Sequence, residues 1–227
     1  MTTRKKALIL GATGGIGAAV SARLSDAGRA ITGLSRRDGL DWTAPAQAEA
    51  ALLRAADAGP FDLIFDATGA LTIGEAQPEK KLAAIEAEAM LAQFAVNAVG
   101  PALILKHHTR LLPRQGRSVF ATLSARVGSI GDNRLGGWIS YRAAKAALNQ
   151  VVRTAAVEIA RTRPEAICAA LHPGTVRTTL STPVIGQGGP SVLAPEDAAA
   201  RLLSVLDGLT PAKSGGFYAY DGQPIPW

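Results

Sequence analysis

Tyr141 and Lys145 are the residues whose types and spacing most directly suggest chemistry. They open a run to about Arg161 in which Tyr141, Ala144, Lys145, Leu148, Val152, Ala155 and Ile159 recur at three- and four-residue steps. That is the spacing of one helix face, with Tyr and Lys stacked one turn apart. A phenol titrating near pH ~10 is a poor acid–base catalyst at neutrality, and a neighbouring ammonium is expected to lower it. A Tyr tuned in this way can protonate a carbonyl oxygen as hydride reaches the carbon, or take the proton back in reverse. The competing reading is an amphipathic helix that carries both residues by chance. For this composition about 0.09 such pairs are expected, so the weight rests on what precedes the helix.

The chain opens with a short buried strand, Lys5 to Leu10, followed by Gly11-Ala12-Thr13-Gly14-Gly15-Ile16-Gly17 and an Ala-rich helical pattern to about Ala27. Strand, glycine turn and helix form the setting of a phosphate-binding loop: the glycines admit the ligand to the backbone, and the helix end attracts a pyrophosphate. Gly11, Gly15 and Gly17 follow G-x-x-x-G-x-G, and no Lys-Ser/Thr pair of an ATP-binding loop is present. The second strand, Ala30 to Leu34, ends in Ser35-Arg36-Arg37. An acid at that tip would bind the ribose 2′-hydroxyl of NAD, whereas Arg accommodates the 2′-phosphate of NADP. Arg36 and Arg37 therefore predict NADP(H), with NAD disfavoured.

G-x-x-x-G-x-G near the start and Tyr-x-x-x-Lys past mid-chain resemble the short-chain dehydrogenase/reductase family over essentially the whole chain. Gly128-Ser129-Ile130-Gly131-Asp132-Asn133, Ser140-Tyr141-Arg142 and Ile225-Pro226-Trp227 are most similar to its small C-factor-type members. Alternating strands and helices predict an α/β fold: a single doubly wound parallel sheet (Rossmann fold) with helices on both faces, residues 1–227 forming one NADP-binding domain. The resemblance implies that Tyr141 is the acid/base, that Lys145 also holds the nicotinamide ribose, and that the Asn97 carbonyl anchors a relay water. It further places Ala67, Thr68 and Gly69 by the adenine-side ribose, Pro173, Gly174 and Val176 by the nicotinamide, and Thr178 by the pyrophosphate. Asn97 has support of its own, since Pro101, four residues on, has no N–H to offer its carbonyl.

Departures from the family pattern are legible too. Only Arg36-Arg37-Asp38-Gly39-Leu40 separates Ser35 from Asp41, too few residues for a parallel crossover. The usual third strand is expected to be rudimentary or absent, with Asp41 as the candidate cap of the adenine pocket. Asp66-Ala67-Thr68-Gly69 stands where Asn-Asn-Ala-Gly is usual. The family's catalytic Ser position holds Ala125, leaving Ser124, one residue earlier, as the candidate donor to the substrate oxygen.

The remaining elements are helices over Thr43–Ala58 and Pro78–Leu112 (two, or one bent), strands at Phe61–Phe65, Ser118–Leu123 and Ala166–Leu171, a last helix ending near Gly208 and an edge strand at Phe217–Tyr220. Thr179–Leu193 is expected to be a lid. The net charge of +6 is scattered, which argues against a nucleic-acid face. No apolar run is read as a membrane span, and Cys168 is read as a buried, inert thiol. His107-His108 lack a third ligand, so no metal is expected. The chain is expected to be cytoplasmic, to act on a small carbonyl or alcohol, and to form a homodimer or homotetramer through the helices bearing Asn97 and Tyr141. A redox-sensing or signalling NADP-binding protein is the alternative of another class; a sugar-nucleotide epimerase lacks the length and the glycine spacing.

Overall fold

The computed structural model describes residues 5–178 and 192–227. Its strands are β1 (Lys6–Leu10), β2 (Ala30–Leu34), β3 (Leu63–Asp66), β4 (Ser118–Leu123), β5 (Ala166–His172) and β6 (Gly216–Ala219). They form one six-stranded sheet in the order β2-β1-β3-β4-β5-β6, with every pairing parallel. Because side chains alternate along a strand, each strand feeds both faces. Leu8, Leu10, Ile64, Phe120, Cys168 and Ala170 pack on one side, and Ala7, Ile9, Phe65, Val119, Ile167 and Ala169 on the other. Helices α1 (Gly15–Asp26) and α7 (Pro195–Gly208) cover the second face. The first is covered by α2 (Pro45–Ala56), α4 (Gly100–Lys106), α5 (His108–Leu111) and α6 (Ile139–Ala160).

The usual third strand is absent, as the short spacing predicts. After β2 the chain makes a single 3₁₀ turn, Arg36–Asp38, closed by a capping box between Ser35 and Asp38, and then enters α2. Trp42 helps to cover this end of the sheet. It is 3% exposed, its indole N–H donates to Thr68 Oγ1 at 3.2 Å, and its ring lies against Gly100.

Three local expectations are corrected. The helix expected from Pro78 begins at Ala87: α3 (Ala87–Phe94) is preceded by irregular chain with one 3₁₀ turn at Leu82–Ala84. Between α3 and α4 the helix widens into a π-helical turn, Ala95–Val99. That turn stands just before the donor-less Pro101 and accounts for the expected bend. Taken together, Ala87–Lys106 is one 20-residue helical run with a mean hydropathy of 1.4, apolar and long enough by composition to cross a membrane, contrary to the sequence reading. The buried amides of Gln93 and Asn97 in its middle bond to the loop after β3. Finally, α2 starts at Pro45 with Ala44 as its N-cap, because the Thr43 hydroxyl is committed to Asp41.

A Cβ on Gly100 would lie 2.5 Å from Trp42 Cγ. Gly100→Ala should therefore cost about 1–3 kcal/mol through overpacking, read as a lower urea midpoint with an unchanged m-value.

Candidate active site

The carboxyl ends of β1, β3, β4 and β5 carry most of the candidate residues. After β1, Gly11 adopts φ +76° and its amide donates to Leu34 O, folding the loop back under the tip of β2. Gly17 is buried against the Gly11 carbonyl, where any side chain would collide. A Cβ on Gly15 would reach Thr178 Cγ2 at 2.8 Å, so the loop and Thr178 form two sides of one cradle. Thr13 and Gly14 are exposed at its rim, and Ile16 is buried beneath it. The first N–H groups of α1 have no intrahelical acceptors. Gly14 supplies no side-chain cap, and the first turn holds no acid. An open, uncompensated helix end framed by glycines fits a diphosphate.

Arg36 and Arg37 are exposed in the 3₁₀ turn at the tip of β2. Asp41 is not a free carboxylate: its Oδ1 accepts from the Thr43 amide and hydroxyl at 2.9 and 2.7 Å, and the hydroxyl bond leads in holding its pKa down. Ala67, Thr68 and Gly69 continue from β3, with Ala67 O and C within 3.0 Å of a Cβ built on Gly11. At the end of β5, Pro173 and Gly174 are half-buried, Val176 is buried and bridges to Leu193, and Tyr220 packs against Gly174. His172, beside them, is driven down to about 4 by burial and the nearby Arg126, and is neutral at pH 7. Most of the expected lid, residues 179–191, lies outside the described residues.

Lys145 and Asn97 meet at Gly69, and Lys145 lies against Tyr141. A Cβ on Gly69 would stand 3.1 Å from Asn97 Oδ1 and 3.3 Å from Lys145 Nζ. The ammonium lies 5.7 Å from the Tyr141 ring centroid and donates to Leu123 O at 2.8 Å. Asn97 is wholly buried. Its Nδ2 donates to Ala70 O and Gln93 Oε1, and its Oδ1 accepts from Ala70 N. The Asn97 amide thus pins the loop after β3 to the π-helical turn.

The expected tuning of the pair is corrected. Burial pushes the Tyr141 phenol up, not down. The same cause drives Lys145 down to about 8, with Asp66 pulling it part of the way back. Asp66 is itself fully buried. Burial pushes its carboxyl up against opposing hydrogen bonds from Thr68 N, Thr68 Oγ1 and Thr122 Oγ1.

Ser124 is a second correction. It is 4% exposed, and its hydroxyl donates to Asn149 Oδ1 at 2.7 Å, two helical turns beyond Tyr141 on α6. In this arrangement its proton is given to Asn149 rather than to the substrate side. Ser129, the other nearby hydroxyl, is tied to Pro226 O at 2.5 Å. Both hydroxyls thus donate within the protein.

Sequence reasoning missed Gln93 and Glu79, which share a recess with Tyr141, and Asn149, which engages Ser124. A polar residue inside an apolar helical run was a usable signal for Gln93; Glu79 had none, because its partner Ser140 lies 61 positions away. Among the described residues no cluster of three metal-binding side chains occurs, and Cys168 is buried with its thiol pushed up to about 12.

A family model described as Enoyl-(Acyl carrier protein) reductase matches residues 39–193. The 1-hydroxy-2-glutathionyl-2-methyl-3-butene dehydrogenase of Rhodococcus sp. (strain AD45) is 31% identical over 97% of this chain and 98% of its own. The chain is a short-chain dehydrogenase/reductase. The C-signal protein of Myxococcus xanthus is 36% identical over 74% of this chain and 94% of its own. A carbonyl reductase from chicken fatty liver, solved with NADPH bound, superposes with a TM-score of 0.80 at 21% identity, covering 99% of both chains, a likeness of fold. Membership in this family makes the chain an NAD(P)-dependent oxidoreductase.

The depressed Lys145 has a stability consequence. Between about 8 and 10.5 the unfolded chain holds a proton that the folded chain has released, so this group adds stability as pH rises through that window. Lys145→Met should flatten the gain, measured as urea midpoints at the two ends of the window. Equal slopes in the two proteins would count against the buried ammonium.

Proposed function

We propose that this short-chain dehydrogenase/reductase uses NADP(H) to interconvert a small carbonyl compound and its alcohol, with Tyr141 as acid/base. The observation that carries the reading is the placing of Lys145 and Asn97 against Gly69, with the Lys145 ammonium 5.7 Å from the Tyr141 ring, in a chain whose first glycine turn is suited to a diphosphate. When bound, the cofactor supplies or accepts a hydride at the carbonyl carbon. The first turn of α1 and Thr178 would hold its diphosphate, and Arg36 and Arg37 its 2′-phosphate. Val176 and the Pro173-Gly174 turn would border the nicotinamide.

The residues of the chain then manage the proton. With a high phenol pKa, Tyr141 stays protonated at pH 7 and is a ready donor to a carbonyl oxygen that gains charge. In the alcohol-oxidising direction the same oxygen must first lose its proton, and the buried Lys145 ammonium favours that phenolate. Lys145 is held by Leu123 O. Asp66 helps to keep the ammonium charged. With Ala125 at the strand end, Tyr141 is the principal donor to the substrate oxygen, which favours activated carbonyls and slow turnover.

Altered strand ends and the Myxococcus likeness favour one second reading, a protein that binds NADP(H) for signalling with little turnover. A single domain associating through the exposed Leu91 and Val99 and the α6 residue Val157 is consistent with either reading.

Tyr141→Phe should abolish NADPH oxidation across a carbonyl panel while leaving NADPH affinity within about twofold. Tight cofactor binding by a wild-type chain that reduces none of the panel would favour the signalling reading. Paired titration should give NADPH at least tenfold over NADH, and replacing Arg36 and Arg37 together should erase that ratio. Ser124→Ala should leave turnover within about threefold, whereas Ala125→Ser should raise it by restoring an oxyanion donor.

A further inference from the structure

The segment between β3 and α3 has little regular structure; its start is pinned by Asn97 and Gln93, and its later part is fastened through Glu79. Glu79 is 8% exposed and bonds three times to the residues just before Tyr141. Its carboxylate accepts from Ser140 N at 3.2 Å and from Ser140 Oγ, and its main-chain oxygen accepts from Trp138 N at 2.5 Å. Burial pushes this carboxyl up, but the Ser140 hydroxyl and amide, together with the amide of Glu79 itself, hold it below the usual range. Pro78, Glu79, Gln93 and Tyr141 border the same recess, of about 10 Å³.

Helix α6 needs such a fastening. Its N-cap, Trp138, adopts left-handed geometry at φ 52° and ψ 44°, which among the described residues no other non-glycine residue shares at positive φ. Trp138 offers no side-chain cap, and the first turn of α6 contains no acid. Helix ends fray first, and Tyr141 lies in that first turn. The Trp138 ring meets the Tyr141 ring edge-on at 6.4 Å, so movement at the cap carries to the phenol. Arg142 steadies the opposite side of the turn, donating to Gly136 O, Gly137 O and Val127 O.

We propose that Glu79 is a positioning residue for Tyr141: it caps the catalytic helix from a distant loop and fixes where its first turn begins. A carboxylate at this end also meets the positive pole of the helix. The need is greater here than where a Ser shares the substrate oxygen, because a lone donor loses rate with small misplacement. The proposal rests on Tyr141 being the acid/base, so its test includes a readout that does not depend on turnover.

The full-length chain and its Glu79→Ala, Glu79→Gln and Ser140→Ala variants would be compared with NADPH and p-nitrobenzaldehyde as the probe. Hydrogen exchange would be followed over residues 138–142. Glu79→Ala should lower kcat at least tenfold, change KM for the aldehyde less than threefold, leave NADPH affinity unchanged and speed exchange of the Ser140 amide. Glu79→Gln keeps an oxygen for the Ser140 amide and an amide group against its hydroxyl, and should retain at least a third of wild-type kcat. Ser140→Ala should fall between them, and it decides the matter if Glu79→Ala does not fold. Wild-type kcat in Glu79→Ala, equal losses in the Ala and Gln variants, or unchanged exchange at Ser140 would each overturn the clamp. A wild-type chain that reduces no carbonyl would defeat the catalytic reading alone, since faster exchange in Glu79→Ala would still establish the cap.

Discussion

A buried ammonium is the constraint around which this site is built. Lys145 is 3% exposed, and a cation removed from water is tolerated only where oxygens take the place of its hydration shell. The fold supplies them from separate elements. Leu123 O, at the end of β4, accepts from the ammonium, the Asp66 carboxylate draws it toward its charged form, and Asn97 Oδ1 borders the same space beside Gly69. Each is held in turn: Asn97 by the backbone of Ala70, and Asp66 by Thr68 and Thr122. Strand order, the π-helical turn and the glycine at position 69 are all conditions for placing one charge beneath one phenol.

Much of this was legible in the sequence, and the reasons differ by element. Parallel strands buried on both faces are nearly continuous apolar runs, so β1, β4 and β5 could be bounded to within a residue. The glycine cradle was legible because its geometry is dictated by the absence of side chains. Asn97 could be found through Pro101, a residue defined by what it cannot donate. The missing third strand followed from counting the residues between Ser35 and Asp41.

What could not be read was direction and distance. Ser124 has the right chemistry one residue from the right place, and only the fold shows its hydroxyl spent on Asn149. The phenol and ammonium have an attractive spacing, but whether charge or burial sets their titration depends on how much water the fold leaves around them. Residues 78–86 looked helical because Ala and Leu favour helix. Tertiary bonds from Glu79 to the start of α6 hold part of that stretch in another form, and local pattern cannot register a partner 61 positions away.

The site keeps the Tyr141–Lys145 pair and Asn97 but has Ala125 and Asp66-Ala67 where the family pattern has Ser and Asn-Asn. At the opposite edge of the sheet the economy is greater still. Where a strand and its helix would ordinarily shield the end of β2, a short turn and the buried Trp42 help to close the gap, wedged against Gly100 and tethered to Thr68, which bonds Asp66 in turn. A single indole therefore links the periphery of the molecule to the carboxylate behind its charge centre, and evolutionary drift at one codon there would be felt at the other end of that chain of bonds.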